Sequence, residues 1–163
     1  MSRAEQLAPA AGVALALTLL GVGLAAHELE RHAIQAAPAI LFCLVGSRRP
    51  ALLRWLLAPV FLFWLMIVVL IWLFLLHIAR IASGTFSPVE IALTIVMGAA
   101  SIFGLALFPR LRRPLPWLQA LGVAGVALAI QIGAFAISTQ PWVAHADGHQ
   151  VSDAGPRRAP TAG

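Results

Sequence analysis

Length, composition and charge together place this chain in lipid rather than in water. The chain has 163 residues, of which 61% are hydrophobic and only 10% are charged, whereas a soluble domain carries roughly 25% charged residues. A folded chain of this length could not hide so much apolar surface behind so few charges in water. We therefore exclude an ordinary soluble domain and predict an all-α integral membrane protein.

The basic residues are all arginines, and they do not form the single stripe that is typical of a nucleic-acid-binding surface. They include two short clusters between apolar segments: Arg48, Arg49 and Arg54, and then Arg110, Arg112 and Arg113. Positive clusters of this kind lie on the cytoplasmic side of membrane proteins. The pattern predicts contact with a lipid bilayer and with no nucleic acid. A bias towards Ala and Arg favours a bacterial chain, for which the membrane is the cytoplasmic (inner) one.

Five apolar segments follow one another along the chain, and we interpret each as a transmembrane helix. They cover residues 7–26, 33–46, 55–79, 89–108 and 117–138. The second segment is the weakest prediction, because a helix of its length is only about 21 Å long and the hydrocarbon core is about 30 Å thick. Residues 29–32 could extend this helix into the membrane interface. A bundle of four transmembrane helices is the alternative.

The orientation follows from the arginine clusters. Placing both of them in the cytoplasm puts the N-terminus inside and the C-terminus outside. Residues 1–138 then form the transmembrane domain. Residues 139–163 are rich in Pro, Gly, Ala and polar residues, so we expect an extracytoplasmic and mostly disordered tail. A cleaved signal peptide is the rival interpretation of residues 7–26, although that segment is long for this role.

The sequence FSPVEI, residues 86–91, predicts the start of the fourth helix. Ser87 is the expected N-cap and Pro88 takes the first helical position. Glu90 stands three residues after the cap, where its carboxylate can accept a hydrogen bond from the Ser87 amide and so complete a capping box. Just before this motif, Gly84 is expected to adopt the left-handed conformation that ends the third helix.

Small residues recur at helical spacing and predict close contacts between helices, either within the chain or with a partner. Gly125, Ala129 and Gly133 lie along one face of the fifth segment, and the fourth segment carries the pairs Thr94/Gly98 and Ala100/Gly104. The third segment carries a bulky stripe instead, for which lipid, the core and a second protein are all possible neighbours. This stripe consists of Phe61, Trp64, Leu65, Val68 and Trp72.

The histidines are the candidate ligands for a metal ion or haem, because imidazole suits both. On the predicted topology all of them lie at or near the extracytoplasmic face, and the first candidates are His27, His32 and His77. His27 and His32 cannot share one face of a helix, since a separation of five residues turns it by about 140°. The simpler interpretation is that polar residues gather at the membrane surface. The single cysteine, Cys43, is expected to be a small buried apolar residue.

Three functions are compatible with these patterns, and none includes a recognisable set of catalytic residues. The leading hypothesis is a non-catalytic accessory or scaffold subunit that acts through helix–helix contacts with other membrane subunits or with itself. The second is a metal- or haem-binding membrane protein. The third is a small-solute permease or channel that works as an oligomer, with Gln131 lining its path. Deep polar residues are few, and we expect Gln35, Ser101 and Gln131 to form hydrogen bonds between helices.

Overall fold

A computed structural model describes residues 3–79, 86–111 and 115–144. Five long helices account for most of these residues: α1 (Arg3–Ala25), α2 (Leu29–Arg48), α3 (Pro50–Leu75), α4 (Pro88–Leu107) and α5 (Trp117–Ser138). A 3-10 turn, Phe108–Arg110, extends α4, and a short helix, α6 (Pro141–Ala144), follows α5. The described residues contain no strand, so the predicted all-α class is confirmed.

Among the described helices, four are long and apolar enough to cross a membrane: α1, α3, α4 with its 3-10 extension, and α5. The remaining long helix, α2, begins at Leu29 rather than at residue 33 and ends at Arg48 rather than at residue 46. Its 20 residues correspond to a length of about 30 Å. Glu30, Arg31 and Arg48 distinguish α2 from the four more apolar helices.

Helix α3 is the centre of the bundle, because it contacts each of the other four long helices. Helix α1 packs between α2 and α4, and α5 packs against α2 and α3. The bulky stripe of α3 faces this core: Phe61 and Trp64 are each 2% exposed and Val68 is buried as well. The core therefore takes the largest side chains from the most apolar helix.

Glycines allow the closest approaches between neighbouring helices. A Cβ atom placed on Gly104 would overlap the ring of Phe61, which holds α4 against α3. A Cβ atom on Gly12 would lie 2.5 Å from the sulfur of Cys43, and the Cys43 thiol donates to the carbonyl of Pro9 at 3.4 Å. Cys43 is 5% exposed, so its predicted role as a small core residue is confirmed.

The start of α4 confirms the predicted capping box. The hydroxyl of Ser87 accepts a hydrogen bond from the backbone N–H of Glu90 at 3.2 Å, and the backbone N–H of Ser87 donates to the Glu90 carboxylate at 2.6 Å. Pro88 occupies the first turn as expected. Two backbone N–H groups that a helix start normally leaves unpaired are thus satisfied by two side chains.

The bundle has two chemically different ends. At one end, called here the histidine end, α1, α3 and α5 finish and α2 and α4 begin. At the other, the arginine end, α2 and α4 finish and α3 and α5 begin. Beyond α5, the segment predicted to be disordered starts with the turn of α6, in which Val143 is 3% exposed. Residues 145–163 of that segment lie outside the described residues.

Candidate functional site

His27 ends helix α1. Its backbone is left-handed, with φ at 57°. The N–H of Glu28 donates to the carbonyl of Gly23 at 2.8 Å, and the N–H of His27 donates to the carbonyl of Leu24 at 3.4 Å. This pair of hydrogen bonds is the Schellman motif that satisfies carbonyls at a helix C-terminus. The imidazole of His27 is exposed.

His77 ends helix α3 in the same way, again with φ at 57°. The N–H of Ile78 donates to Leu73 and that of His77 donates to Phe74, both at 2.9 Å. The prediction that Gly84 ends this helix is therefore wrong, because α3 stops at Leu75 and the left-handed residue is His77. Gly84 itself lies outside the described residues.

The described histidines do not converge on a metal site. In residues 3–79, 86–111 and 115–144, no group of three or more His, Cys, Asp or Glu side chains could hold a metal ion together. His27 and His77 are exposed at separate helix ends. His145 and His149 lie outside the described residues, so the metal or haem hypothesis stays a prediction.

His32 differs from the other two, because it lies in a cavity of about 460 Å³ at the histidine end. All five long helices or the residues next to them contribute to its wall. We call this cavity the polar pocket, and its polar lining consists of Glu28, Arg31, His32, Gln35, Glu90 and Thr94. Of the three candidate ligands, only His32 therefore belongs to a concave site.

The charged groups of the polar pocket leave an excess of negative charge. Glu28 and Arg31 form an ion pair at 2.8 Å, with side chains that are 41% and 33% exposed, so the pair adds little stability. Glu90 contributes a second carboxylate, which is held in place by the Ser87 amide. Two carboxylates thus face one guanidinium across the pocket.

The imidazole of His32 presents a hydrogen-bond acceptor to its surroundings. Its Nδ1 lies 3.0 Å from the carbonyl oxygen of Glu28, and since a carbonyl can only accept, Nδ1 carries the proton. His32 lies just before the apolar segment 33–46. Burial lowers the pKa of its imidazole from the ordinary value. Burial thus favours the neutral ring, in which Nε2 is left unprotonated because Nδ1 carries the proton.

The deeper wall of the pocket is apolar, apart from a hydrogen bond between two helices and the indole N–H of one tryptophan. Gln35 donates to the hydroxyl of Ser138 at 2.8 Å, which confirms the predicted hydrogen bond between helices and ties α2 to α5. Trp64 and Phe135 lie against each other, with ring centroids 6.3 Å apart. The Nε1 of Trp64 is buried and has no hydrogen-bond partner among the described residues.

The other deep polar groups do not belong to this pocket. Gln131 and Ser101 are fully buried, and neither has a side-chain hydrogen-bond partner in the described part of the chain. The prediction of interhelical hydrogen bonds therefore does not hold for these two residues. Gln131 faces the packed interior, and the hypothesis that it lines a solute path stays a prediction.

The arginine end carries the two clusters. Arg48, Arg49 and Arg110 are exposed there, and Arg112 and Arg113 lie outside the described residues. Arg54 is half-buried: its guanidinium lies 4.1 Å from the ring centroid of Phe108 and donates to the carbonyl of Leu111 at 3.4 Å. Arg54 therefore joins the start of α3 to the end of α4, in addition to any role in orientation.

The small residues of α5 and α4 have different surroundings. A Cβ atom on Gly98 would lie 3.3 Å from Val68, and one on Gly104 would overlap Phe61, whereas one on Gly125 or on Gly133 would meet no atom within 4 Å. Ala129, between these two glycines, is exposed. The space beside each of the two glycines of α4 is thus filled by α3, and the stripe on α5 is open.

Sequence analysis missed most of the pocket, because its members come from distant segments. One signal was local: Glu28, Arg31, His32 and Gln35 recur at intervals of three or four residues, which places them on one face of a helix. Nothing in the sequence joins that face to Glu90 or Trp64.

The chain matches no family model, no curated protein and no solved structure.

Proposed function

We propose that this chain is a non-catalytic accessory or scaffold subunit of a membrane complex, and that it binds a helix of another membrane protein along the outer face of α5. The observation that carries this proposal is the open stripe of Gly125, Ala129 and Gly133. Among the four most apolar helices α5 is the least buried, with 17% of its most apolar window inside the bundle against 33% to 44% for the others.

The chemistry of helix association in lipid supports this role. Apolar side chains gain little by leaving lipid for another helix, so close backbone approach provides much of the attraction. On α5 the stripe lies opposite the buried residues Ala127 and Gln131, at the centre of the outward face. Small residues at that position leave a shallow groove into which a second helix can fit.

The proposal includes a topology in the cytoplasmic membrane of a bacterium. Five helices cross, with the N-terminus and the arginine end in the cytoplasm and the histidine end outside. Contacts at both ends of α2 support its crossing. Near one end Gln35 binds Ser138, the last residue of α5, and near the other a Cβ atom on Gly46 would overlap Leu53, in the first turn of α3.

Native mass spectrometry of the protein extracted from its own membranes in mild detergent tests the proposed role. We expect a complex with a second protein. Replacing Ala129 with Leu should weaken that complex about tenfold or more, because the larger side chain fills the groove. The matched control is Ala106→Leu, which makes the same change at an exposed position of α4 and should leave the complex intact.

The contrary outcomes are equally specific. A bare monomer from gently extracted membranes, or a complex that Ala129→Leu leaves unchanged, would overturn the proposal. A complex made of two copies of the chain would show that the partner helix is α5 of a second copy, and not a helix of another protein. Thermal unfolding of both variants checks that the bundle is intact.

A further inference from the structure

The polar pocket combines three properties: enclosure by several helices, apolar depth and a charged mouth. Its volume of about 460 Å³ lies within the range of roughly 300–1,000 Å³ that small-molecule sites occupy. The apolar wall includes Leu19 and Val22 of α1, Ile67 and Ile71 of α3, and Met97 of α4. A ligand there would place most of its surface against hydrocarbon.

The charge at the mouth is not balanced by the described residues. Arg31 is engaged by Glu28 at 2.8 Å, which leaves Glu90 as the second carboxylate. Among the residues that the structure describes, Glu90 accepts from the Ser87 amide and forms no ion pair with an arginine. Two carboxylates at the rim of one cavity make its mouth electronegative, and a field of this sign raises the local concentration of cations.

The remaining polar atoms at the mouth also favour a positively charged or donating group. Nε2 of His32 is an acceptor, since Nδ1 donates to the Glu28 carbonyl. Thr94 uses its proton for the carbonyl of Ile91 at 2.8 Å, so its oxygen faces the pocket only as an acceptor. The opposing group is Arg31, whose Nε–H has no hydrogen-bond partner among the described residues. An anionic head group would meet that one guanidinium against two carboxylates and two acceptors.

Aromatic rings line the pocket at two depths. Phe86, four residues before Glu90 in the chain, is part of the wall, and Trp64 of α3 and Phe135 of α5 line it as well. The faces of such rings attract cations. The indole of Trp64 is only 2% exposed and its N–H has no partner among the described residues, so the protein leaves a buried donor unsatisfied at this wall.

We propose that the polar pocket binds an amphipathic organic cation, with its charged head between Glu28, Glu90 and His32 and its apolar body against Trp64 and Phe135. The head supplies a counter-charge to Glu90, which has no arginine partner among the described residues. A hydrogen-bond acceptor on the apolar body is the group that the free N–H of Trp64 would bind. A metal ion is disfavoured, because the described residues contain no group of three ligands for it.

Binding of tetraphenylphosphonium to the full chain in nanodiscs of zwitterionic lipid tests this proposal. Equilibrium dialysis with the labelled cation, corrected for empty nanodiscs, measures the affinity. We expect saturable binding that Glu90→Gln weakens about fivefold or more, because one carboxylate charge at the mouth is lost. Glutamine at this position can still complete the capping box with Ser87, so the helix start is preserved.

The matched control is Glu30→Gln, which removes the same charge from an exposed residue of α2 outside the pocket and should change the affinity less than twofold. Tetraphenylborate, an anion of the same shape, is dialysed in a separate experiment and should show no saturable binding. No saturable binding of the cation, an equal loss in both variants, or saturable binding of the anion would overturn the proposal. Ala129→Leu should leave cation binding unchanged, which separates this site from the proposed α5 interface.

Discussion

At the scale of single residues, two histidines with a left-handed backbone show how helices α1 and α3 end. His27 and His77 occupy the position after a helix where glycine is the usual residue, and both have φ at 57°. A side chain in that conformation costs about 1–2 kcal/mol. His27 and His77 thus have a structural position in common, as the left-handed residues that end α1 and α3.

Replacing His77 with Gly should stabilise the protein by about 1 kcal/mol, because glycine adopts the left-handed conformation without steric cost. Thermal unfolding in detergent measures the change, and His77→Ala is the control, since alanine retains the strain. A loss of stability in the glycine variant, accompanied by a loss of bound metal, would instead favour the metal-binding hypothesis.

At the scale of elements, α4 and α5 differ in what surrounds their glycines. Side chains of α3 fill the space beside the glycines of α4, whereas the space beside those of α5 is open. Gly104 lies against Phe61 on the central helix α3, whereas Gly122 and Gly125 meet nothing within 4 Å. Small residues thus give an internal contact on one helix and a free surface on the other. The rotation of each helix about its axis decides which outcome applies.

Alanine at the two kinds of glycine should have opposite effects. Gly122→Ala should stabilise the protein by up to about 1 kcal/mol through helix propensity, because its added methyl meets open space. Gly104→Ala should destabilise it by about 1–3 kcal/mol, since the methyl overlaps the Phe61 ring. Thermal unfolding compares the two variants. Combining Gly104→Ala with Phe61→Leu should recover part of the loss, and an unchanged loss would contradict this explanation.

At the scale of the whole molecule, the proposed topology depends on α2. The helix packs against α1, α3 and α5, and its polar ends lie at opposite ends of the bundle. A hydrogen bond between Gln35 and Ser138 and the thiol contact of Cys43 with Pro9 attach α2 to its neighbours at two depths. These attachments support a full crossing in spite of the charges that α2 carries.

Single cysteines introduced into a Cys43→Ala background test that crossing. Glu30→Cys should react with a membrane-impermeant maleimide only from outside, and Arg49→Cys only from the cytoplasm, because the two positions lie at opposite ends of α2. Thr139→Cys, just after α5, serves as the outside reference. Labelling of positions 30 and 49 from the same side would replace five crossings with four and a re-entrant α2.

Local sequence patterns were sufficient for the helical class and for most helix positions. Helix α5 has the predicted bounds, and the capping box at Ser87 and Glu90 was legible because its partners are three residues apart. The end of α3 was not predictable in this way. A left-handed histidine has no pattern that distinguishes it from an ordinary polar residue, and the nearby Gly84 was the more typical candidate.

The sequence by itself determined that the chain is helical and very apolar, because composition and short spacings decide those properties. Tertiary structure alone decided that the bulky stripe of α3 faces the core, that the glycines of α5 face outward, and that Glu90 joins His32 and Trp64 around one pocket. The physical reason is that apolar residues surround most of each helix. Hydropathy therefore cannot indicate which face meets a neighbour, and only the packing of side chains from distant segments can.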